Sequence, residues 1–323
     1  MLIFITGATG FIGSHLAARL MSEGNKLRCL ARQTSNLDFL NDLGVSITIA
    51  DISDKNALRQ ALEGVDLVYH TAAVVGEWLS EKQVREVNIK GTQNLLEASL
   101  EAKVKRFVYV SSLAVLGMKH HHNTPPDAPY HLTGDLYSDS KIETEKMVMD
   151  FCRRHGLPVS VIRAGFVLGP RDRRFMPRVL KLIKEKKFMF LGNGKNIMNL
   201  VYIDNLIDVL IQAGLRKEAV GQIYNVRNKD QVTMKEFITM VCDILGVETP
   251  RKSIPLPIAK ALASCMEAGS RLMNKKEPPL LTKARVKVSG LNLDFDISKT
   301  IEDLNYDSRI SIKEGLKKTL ISP

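Results

Sequence analysis

Short hydrophobic runs alternate with helical patterns throughout the first half of the chain. Between the runs, segments such as GSHLAARLMSEG and VNIKGTQNLLEASLEA repeat apolar residues at the spacing of an amphipathic helix. Nearly continuous apolar strands that alternate with helices form a parallel sheet covered on both faces. We therefore predict a doubly wound α/β fold. The predicted strands are LIFIT (2–6), LRCLA (27–31), VSITI (45–49), DLVYH (66–70), RFVYVSS (106–112) and VSVIR (159–163).

The pattern changes after Gly165, where prolines, basic stretches and a longer helical region replace the alternation. This change divides the chain into a sheet domain at residues 1–165 and a smaller, mostly helical domain at residues 166–323, which we expect to bind the substrate. One further strand, GQIYNV at 221–226, interrupts the second region. We therefore expect residues 196–226 to return to the sheet domain.

The segment 254–273 has the pattern of one amphipathic helix. Its apolar residues Ile258, Leu262, Met266 and Leu272 recur near one face, and its charged residues lie elsewhere. We predict that this helix covers the substrate cleft, with plain packing at the C-terminal end of the molecule as the alternative.

The composition is that of an ordinary globular protein, with 45% hydrophobic and 25% charged residues over 323 positions. The four cysteines have no close or regular spacing, which argues against a zinc knuckle or a disulfide framework and fits a reducing cytosol. The first residues, MLIFIT, run directly into a glycine turn and leave no room for a signal peptide. No apolar run reaches the ~18 residues of a membrane span. We therefore expect a cytoplasmic protein.

The net charge of +11 is unevenly distributed, because residues 171–187 contribute +6 and residues 275–287 contribute +4. Nucleic-acid binding would also require stacking aromatic residues, and only 6% of the chain is aromatic, so we expect no nucleic-acid partner. The basic stretches are interpreted as solvated helix faces. Peripheral contact with anionic lipid, or attraction of an acidic substrate, is the alternative.

The segment TGATGFIG, Thr6–Gly13, follows the first predicted strand and opens the first predicted helix. Glycines at a spacing of three permit a tight turn and a close approach of the backbone to a pyrophosphate, and the helix N-terminus adds free N–H groups. A glycine-rich structural turn is the alternative. The candidate cofactor-binding residues of this segment are Gly7, Thr9, Gly10, Phe11, Ile12 and Gly13.

The end of the second predicted strand indicates which nicotinamide cofactor binds. An NAD site usually offers an acidic residue there, whereas this chain has Ala31 followed by Arg32. Because a guanidinium suits a 2′-phosphate, we predict NADP(H), with NAD as the alternative. Asp51 follows the third strand, where its carboxylate could meet the adenine amine or cap the next helix.

Tyr137 precedes Lys141 by four positions in the stretch LYSDSK, so the two side chains share a face if the stretch is helical. A lysine ammonium near a phenol favours the phenolate and lowers the phenol pKa from its usual value of about 10. The pair alone is not specific, because a chain of this composition can contain it by chance. It gains meaning beside a cofactor site.

Together these motifs resemble the extended short-chain dehydrogenase/reductase family along nearly the whole chain. The matching stretches are TGATGFIG, ADISD, HTAA (70–73), VNIKGTQNLLEAS (87–99), FVYVSSLAVLG (107–117), YSDSK and YIDN (202–205). The resemblance implies a Rossmann fold with a second, substrate-binding region. It also implies cofactor contacts from Asp51, Ile52, Ala72 and Ala73, in addition to the glycine loop.

In that family the tyrosine and lysine act with a serine on the preceding strand. Ser112 lies 25 positions before Tyr137, and Ser111 is the adjacent candidate. The resemblance implies that Tyr137 gives or takes the proton of a substrate carbonyl or alcohol. Lys141 would lower the pKa of Tyr137 and hold the nicotinamide ribose, and Ser112 would hydrogen-bond the reacting oxygen.

The C-terminal half looks like the 3β-hydroxysteroid dehydrogenase branch, which includes sterol 4α-carboxylate 3-dehydrogenases and reductases of 2-alkyl-3-oxo acids. This implies an NAD(P)-dependent enzyme that interconverts a 3-hydroxyl and a 3-oxo group on an apolar, sterol-like or long-chain substrate. Sugar-nucleotide epimerases and dehydratases commonly carry Arg-Asp where this chain has Met198-Asn199, and a desolvated diphosphate favours a bidentate cation. Such an epimerase or dehydratase is the alternative, and a non-catalytic NADP-binding protein is a second one. A homodimer is the usual expectation.

Two further groups of residues border the expected substrate region. Three arginines, Arg171, Arg173 and Arg174, could bind a substrate carboxylate or simply face water. The run KHHHN at 119–123 is interpreted as a solvated loop, because no carboxylate or cysteine nearby completes a metal site, and we expect no metal. Trp78 is expected either to wall the apolar end of the pocket or to pack in the core.

Overall fold

A computed structural model of the protein describes residues 1–76, 78–273, 279 and 281–321. Its strands are β1 (Leu2–Thr6), β2 (Lys26–Ala31), β3 (Ser46–Ile49), β4 (Leu67–His70), β5 (Arg106–Ser112), β6 (His121–Thr124), β7 (Val159–Ala164), β8 (Phe166–Leu168), β9 (Phe190–Leu191), β10 (Ile197–Met198), β11 (Leu200–Tyr202), β12 (Gln222–Val226), β13 (Val232–Thr233), β14 (Ser253–Ile254) and β15 (Leu293–Phe295). Its α-helices are α1 (Phe11–Ser22), α2 (Asp38–Asp42), α3 (Lys55–Ala61), α4 (Glu81–Val84), α5 (Gly91–Glu101), α6 (Leu136–His155), α7 (Phe175–Lys184), α8 (Ile203–Leu215), α9 (Met234–Leu245), α10 (Leu256–Leu272), α11 (Lys283–Ser289), α12 (Ser298–Leu304) and α13 (Ile312–Ile321). A π-helical turn covers Arg85–Lys90, and 3₁₀ turns cover Leu113–Leu116 and Lys217–Ala219.

Seven parallel strands form the central sheet in the order β12-β7-β5-β4-β1-β2-β3. This order confirms the predicted doubly wound α/β fold. Each strand predicted from the hydrophobic runs is present within one residue of its expected limits. The connection order reverses between β1 and β4, and ligands of open parallel sheets bind beyond the carboxyl ends of the strands at such a reversal.

Successive residues of the strands feed two separate cores, one on each face of the sheet. Ile3 and Ile5 of β1 point into a core shared with α1 and α8. Phe4, between them, points into a second core shared with α3, α5 and α6. All three side chains are fully buried. Because both faces are covered, the strands are apolar along almost their whole length.

After Gly165 the chain leaves the sheet and then returns to it. Strand β12 pairs with β7 at one edge of the sheet, and α8 packs beside α1 on one of its faces. Strand β15 pairs with β6, and its side chains pack against the 3₁₀ turn that follows β5. The second region is therefore attached to the sheet directly beside the strand that carries both candidate serines.

Helix α10 forms within the predicted segment and turns its large apolar side chains to solvent. Ile258 and Leu262 are 54% and 44% exposed, whereas Ala259 and Ala263 are fully buried in a small core with Val286 of α11. Small inward side chains let the two helices approach closely, which leaves the large apolar side chains outside. That the helix covers the substrate cleft stays a prediction.

The histidine run also differs from the predicted solvated loop, because His121 begins strand β6 and is 1% exposed. Its Nε2 bonds the Gly117 carbonyl at 3.0 Å, and burial lowers its pKa. His120 and His122 on either side are exposed, as strand alternation requires. Among the described residues, no group of three or more His, Cys, Asp or Glu side chains could hold a metal ion. No helix among residues 1–76, 78–273 and 281–321 is long and apolar enough to cross a membrane.

Candidate active site

The glycine loop between β1 and α1 is packed so closely that two of its glycines have no room for a side chain. Gly7 has a φ of +72°, and a Cβ there would lie 2.7 Å from the Ala72 backbone nitrogen. A Cβ on Gly13 would lie 2.2 Å from the Gly7 carbonyl oxygen. A Cβ on Gly10 would contact only that same oxygen and otherwise enter open space. The loop thus leaves its open side free for the close approach of a pyrophosphate.

Helix α1 begins at Phe11, behind Gly10, and no side chain caps its N-terminus. The first intrahelical hydrogen bond runs from the Ser14 N–H to the Gly10 carbonyl at 3.0 Å. The N–H groups of Phe11, Ile12 and Gly13 precede that bond, so they and the helix dipole are available to an anion. The loop and this helix start together fit the phosphates of a dinucleotide.

The remaining predicted cofactor residues follow parallel strands at the same edge of the sheet: Thr9 after β1, Arg32 after β2, Asp51 and Ile52 after β3, and Ala72 and Ala73 after β4. Arg32 is exposed, and within the described residues its side chain has no hydrogen-bond or ion-pair partner. The Asp51 carboxylate accepts hydrogen bonds from the Ser53 N–H and hydroxyl at 2.9 and 2.8 Å. Ile52 is buried against Gly91, so its side chain packs inside the protein.

Tyr137 and Lys141 lie one turn apart on α6, whose N-terminus is capped by the Asp135 carboxylate accepting from the Ser138 N–H. This helix packs on β5, the strand that ends at Ser112. The Ser112 side chain lies near enough to Tyr137 to lower the pKa of the phenol, and its hydroxyl accepts a hydrogen bond from the Ala114 N–H at 3.2 Å. The structure therefore brings the three predicted catalytic residues together at the edge of the sheet that carries the glycine loop.

The two candidate serines point to opposite sides of β5, as successive residues of a strand do. Ser112 is half-buried and turned to Tyr137. Ser111 is 3% exposed and donates a hydrogen bond to the Glu145 carboxylate behind the site. Of the two, only Ser112 is turned towards Tyr137.

The electrostatic setting of Tyr137 differs from the expectation. Burial raises the pKa of Tyr137 to about 12 and the negative charge of Asp135 adds to that effect, whereas Ser112 and, least of all, the positive charge of Arg174 lower it. Lys141 instead donates from Nζ to the Val110 carbonyl at 2.7 Å. In this arrangement the cation that lowers the tyrosine pKa is Arg174, so the expected tuning by Lys141 is not what the structure contains.

Lys141 is a buried amine rather than a solvated one. It is 3% exposed, and its Nζ lies 3.1 Å from the Tyr109 hydroxyl. Burial lowers the pKa of Lys141 to about 7, against the effect of Glu145 one turn later, whose negative charge raises it. An amine with a pKa near neutral, one turn from the Tyr137 phenol, suits acid/base chemistry.

A buried ion pair that the sequence pattern did not reveal lies behind these residues. Glu145 and Arg163 are 0% and 1% exposed, and Arg163 donates to one carboxylate oxygen of Glu145 from Nη2 at 2.6 Å and from Nε at 2.9 Å. Tyr130 donates to the same oxygen at 3.1 Å. A signal for Glu145 was present, because Tyr137, Lys141 and Glu145 follow one another at a spacing of four along α6.

A second missed residue, Asn88, ties the loop after β4 to α6. It lies in the π-helical turn and is 2% exposed. Its Oδ1 accepts from the Val74 N–H at 2.7 Å, and its Nδ2 donates to the Ser140 hydroxyl at 3.1 Å. Asn88 thereby holds Val74 against the helix that carries Tyr137. The hydrophobic pattern predicted an ordinary helix here and did not reveal the π-turn, a feature that often accompanies functional sites.

His70, the last residue of β4, is a buried neutral group between two threonines. Its Nδ1 lies 2.7 Å from the Thr6 hydroxyl, and its Nε2 lies 2.7 Å from the Thr92 hydroxyl. Burial lowers the pKa of His70 to about 3, and the charge of Lys141 adds to that effect. His70 therefore stays uncharged at neutral pH and fixes Thr6, the residue that opens the glycine loop.

Two of the arginines predicted near the substrate occupy different places. Arg171 stacks on the Phe39 ring, 4.1 Å from its centroid, beside α2. Arg174 donates from Nη1 to the Val75 carbonyl, and its charge acts on Tyr137. Arg174 therefore contacts the loop after β4, near enough for its charge to act on Tyr137, whereas Arg171 contacts α2 and donates from Nε to the His15 ring of α1 at 3.4 Å.

Comparison with known proteins agrees with this geometry. The sequence model of the NAD dependent epimerase/dehydratase family matches residues 3–226. Among relatives, the 2-alkyl-3-oxoalkanoate reductase of Shewanella oneidensis is 29% identical over 98% of this chain and 84% of its own length. The decarboxylating sterol-4-alpha-carboxylate 3-dehydrogenase of Dictyostelium discoideum is 27% identical over 97% of this chain and 98% of its own length.

Epimerases are similar to this chain as well. The N-acetyl-alpha-D-glucosaminyl-diphospho-ditrans,octacis-undecaprenol 4-epimerase of Escherichia coli O157:H7 is 28% identical over 98% of this chain and 94% of its own length. The solved structure of UDP-glucuronic acid 4-epimerase from Bacillus cereus, in complex with UDP-glucuronic acid and NAD, superposes with a TM-score of 0.77. That structure is 25% identical and covers 98% of this chain and 97% of its own.

Proposed function

Because this chain belongs to the NAD dependent epimerase/dehydratase family, we propose that it interconverts a 3-hydroxyl and a 3-oxo group on an apolar carboxylic acid, with NADP(H) as its cofactor. Relatives are named reductases, dehydrogenases and epimerases, and the chain is an oxidoreductase that depends on a nicotinamide cofactor. The substrate class and the preference for NADP(H) are inferred from this site.

The observation that carries the proposal is the position of Arg174. Its guanidinium is held at the Val75 carbonyl, in the loop that Asn88 fixes against α6. Within the described residues, no carboxylate pairs with this guanidinium. A carboxylate β to a reacting carbonyl is separated from it by one carbon, so a cation whose charge acts on Tyr137 suits such a substrate.

A second observation argues against a diphosphate in the cleft. Met198, where sugar-nucleotide enzymes commonly carry an arginine, is 5% exposed and packs in the main core. Phe166 and Phe175 pack against the same core, with their ring centroids 5.6 Å apart. An aliphatic or aromatic wall favours an apolar substrate by about 25 cal/mol for each Å² of apolar surface buried.

The roles of the catalytic residues follow from their positions. When bound, the nicotinamide cofactor supplies or accepts the hydride. In reduction, the Tyr137 hydroxyl donates a proton to the carbonyl oxygen, and Ser112 orients that oxygen by a hydrogen bond. Arg174 stabilises the phenolate that remains, and Lys141, which titrates near pH 7, is placed to return a proton to the site.

The proposed preference for NADP(H) depends on Arg32, which stands exposed at the carboxyl end of β2. A charged hydrogen bond to the 2′-phosphate is worth about 1.5–3 kcal/mol, which corresponds to roughly 10- to 150-fold in affinity. Titration of wild type and Arg32→Ala with NADPH and NADH tests this. If NADH binds as tightly as NADPH to the wild type, the assignment is wrong.

The substrate proposal is tested by competition among substrate classes. Turnover is measured with a 2-alkyl-3-oxo acid, its methyl ester, a sterol, UDP-glucose and UDP-galactose. We expect Arg174→Gln to raise KM for the free acid by about 10-fold while leaving the ester unchanged, because only the acid forms the charged hydrogen bond. Arg173→Gln, one residue away and also exposed, is the matched control.

The alternative is a sugar-nucleotide epimerase, supported by the 28% identity with the Escherichia coli 4-epimerase. Efficient epimerisation of a UDP-sugar, without oxidation or reduction of the apolar set, would replace our proposal with this one. If Arg174→Gln changes KM equally for the acid and its ester, the substrate carboxylate does not bind Arg174. The proposal of an oxidoreductase would still stand.

A further inference from the structure

Helix α10 presents an uncharged apolar face to solvent. At 100° per residue, its outward positions fall within an arc of about 140°. The residues on this outer face are Pro257, Ile258, Ala261, Leu262, Cys265, Ala268 and Leu272, and all seven are exposed. Leu272 is 85% exposed, and Met273, which follows it, is 68% exposed. Surface helices ordinarily turn such a stripe towards the core.

The inner face of α10 explains why the stripe cannot turn inward. Ala259 and Ala263 are both fully buried and pack against Val286 of α11. On the flank, the Glu267 carboxylate accepts from the Lys283 N–H at 2.7 Å and fixes the rotation of the helix. A rotation that buried Ile258 would force large side chains into a space that fits alanines. The outward apolar face is therefore a fixed feature of the fold.

Positive charge surrounds this face. Residues 251–272 and 281–289 contain seven lysines and arginines and one acidic residue, a net charge of +6. Lys252, Lys260, Lys283 and Lys287 are exposed, and none of them has an acidic partner among the described residues. A second copy of the chain docked on this face by two-fold symmetry would bring two such charge clusters together, which is unfavourable. An anionic surface is complementary to the cluster.

We propose that the outer face of α10 docks on the surface of a lipid bilayer that carries anionic headgroups. The helix lies in the plane of the interface, with Ile258, Leu262 and Leu272 among the acyl chains and the lysines at the headgroups. Such helices bind the membrane surface without crossing it. This inference is independent of the proposed reaction, because it rests on a helix outside the catalytic site.

The test measures binding of the full-length protein to sedimented vesicles of phosphatidylcholine, with and without about one third phosphatidylglycerol. We expect binding to the anionic vesicles only, and a loss of about 10-fold or more in Ile258→Ser/Leu262→Ser, because two apolar side chains no longer enter the interface. The matched control is Leu215→Ser/Ile321→Ser, since Leu215 and Ile321 are 54% and 72% exposed elsewhere.

A second measurement does not depend on sedimentation. Cys265 is exposed on the outer face, Cys29 and Cys242 are buried, and Cys152 is half-buried. In a Cys152→Ser background, an environment-sensitive fluorophore on Cys265 should shift to the blue when anionic vesicles are added. Equal vesicle binding by wild type and Ile258→Ser/Leu262→Ser, or an unshifted fluorophore, would overturn the proposal. So would a dimer in solution that Ile258→Ser/Leu262→Ser dissociates, because the face would then belong to a second copy.

Discussion

Helices α6 and α10 depart from the usual distribution of side chains in opposite directions. Helix α6 buries charge, since Lys141 and Glu145 are 3% and 0% exposed. Helix α10 exposes Ile258 and Leu262 and buries alanines instead. Buried charges and contiguous exposed apolar surface are both unfavourable unless something compensates them. The two helices therefore each require compensation for an unfavourable arrangement of side chains.

The difference between them lies in where the compensation comes from. On α6 it is internal, because Glu145 is paired with Arg163 and Lys141 donates to the Val110 carbonyl. On α10 the described residues offer no cover for the outer face. A helix whose buried charges are paired within the chain can hold candidate catalytic side chains rigidly. A helix whose large apolar side chains stay exposed is suited to binding an external partner.

The largest expected effect follows from breaking the buried ion pair between Glu145 of α6 and Arg163. Glu145→Gln leaves the Arg163 charge buried and uncompensated, which should cost about 3–5 kcal/mol of unfolding free energy in urea denaturation. The control is Glu143→Gln on the same helix, whose exposed pair with Arg85 should contribute less than about 1 kcal/mol. Replacing both partners, as Glu145→Gln/Arg163→Met, should recover much of the loss. Equal losses for Glu145→Gln and Glu143→Gln would contradict the comparison.

Next in size is the chemistry at the start of α6. Tyr137→Phe removes the proton donor but keeps the ring and the helix, so turnover should fall by ~10²-fold or more while nucleotide affinity is preserved. Tyr130→Phe, whose hydroxyl only supports Glu145, is the matched control. Near-normal steady-state turnover in Tyr137→Phe would sink the proposed mechanism.

A smaller effect concerns the buried amine. The pKa of Lys141 is lowered to about 7 in the folded protein, so between pH 7 and its ordinary value of about 10.4 the unfolded chain binds more protons. The contribution of Lys141 to stability therefore improves as pH rises through this window. Lys141→Met should raise the unfolding free energy by about 1–3 kcal/mol at pH 7, and the gain should shrink towards pH 10. The exposed Lys146→Met should show no such trend; a pH-independent gain in Lys141→Met would refute the assignment.

The smallest expected change is that of Leu262→Ala on the outer face of α10, which is compared with a change at its buried neighbour Ala263. Ala263→Leu overpacks the contact with α11 and should cost about 1–3 kcal/mol, whereas Leu262→Ala on the outer face should change stability by less than about 0.5 kcal/mol. Thermal unfolding of the two variants is sufficient to compare them. If Leu262→Ala lowers stability more than Ala263→Leu does, Leu262 is buried rather than exposed. The outer face of α10 would then already be covered.

The sequence by itself determined the strands, the glycine loop and the catalytic spacing, because each depends on neighbours close along the chain. Hydrophobic runs such as 2–6 and 106–112 form buried strands wherever they are placed, and the parallel topology follows from their alternation with helices. Gly7 and Gly13 are required by the turn itself. The four-residue spacing of Tyr137 and Lys141 fixes a shared helix face whatever the rest of the fold.

Tertiary structure decided which of several equivalent candidates takes each role. Ser111 and Ser112 are indistinguishable as letters, and only the packing of α6 on one side of β5 turns Ser112 towards the tyrosine. Arg174 likewise reaches the site because the chain folds back to Val75. The periodicity of α10 identified an apolar face but not the side on which its neighbour would lie. Contacts between residues far apart in sequence depend on packing that a local pattern does not contain.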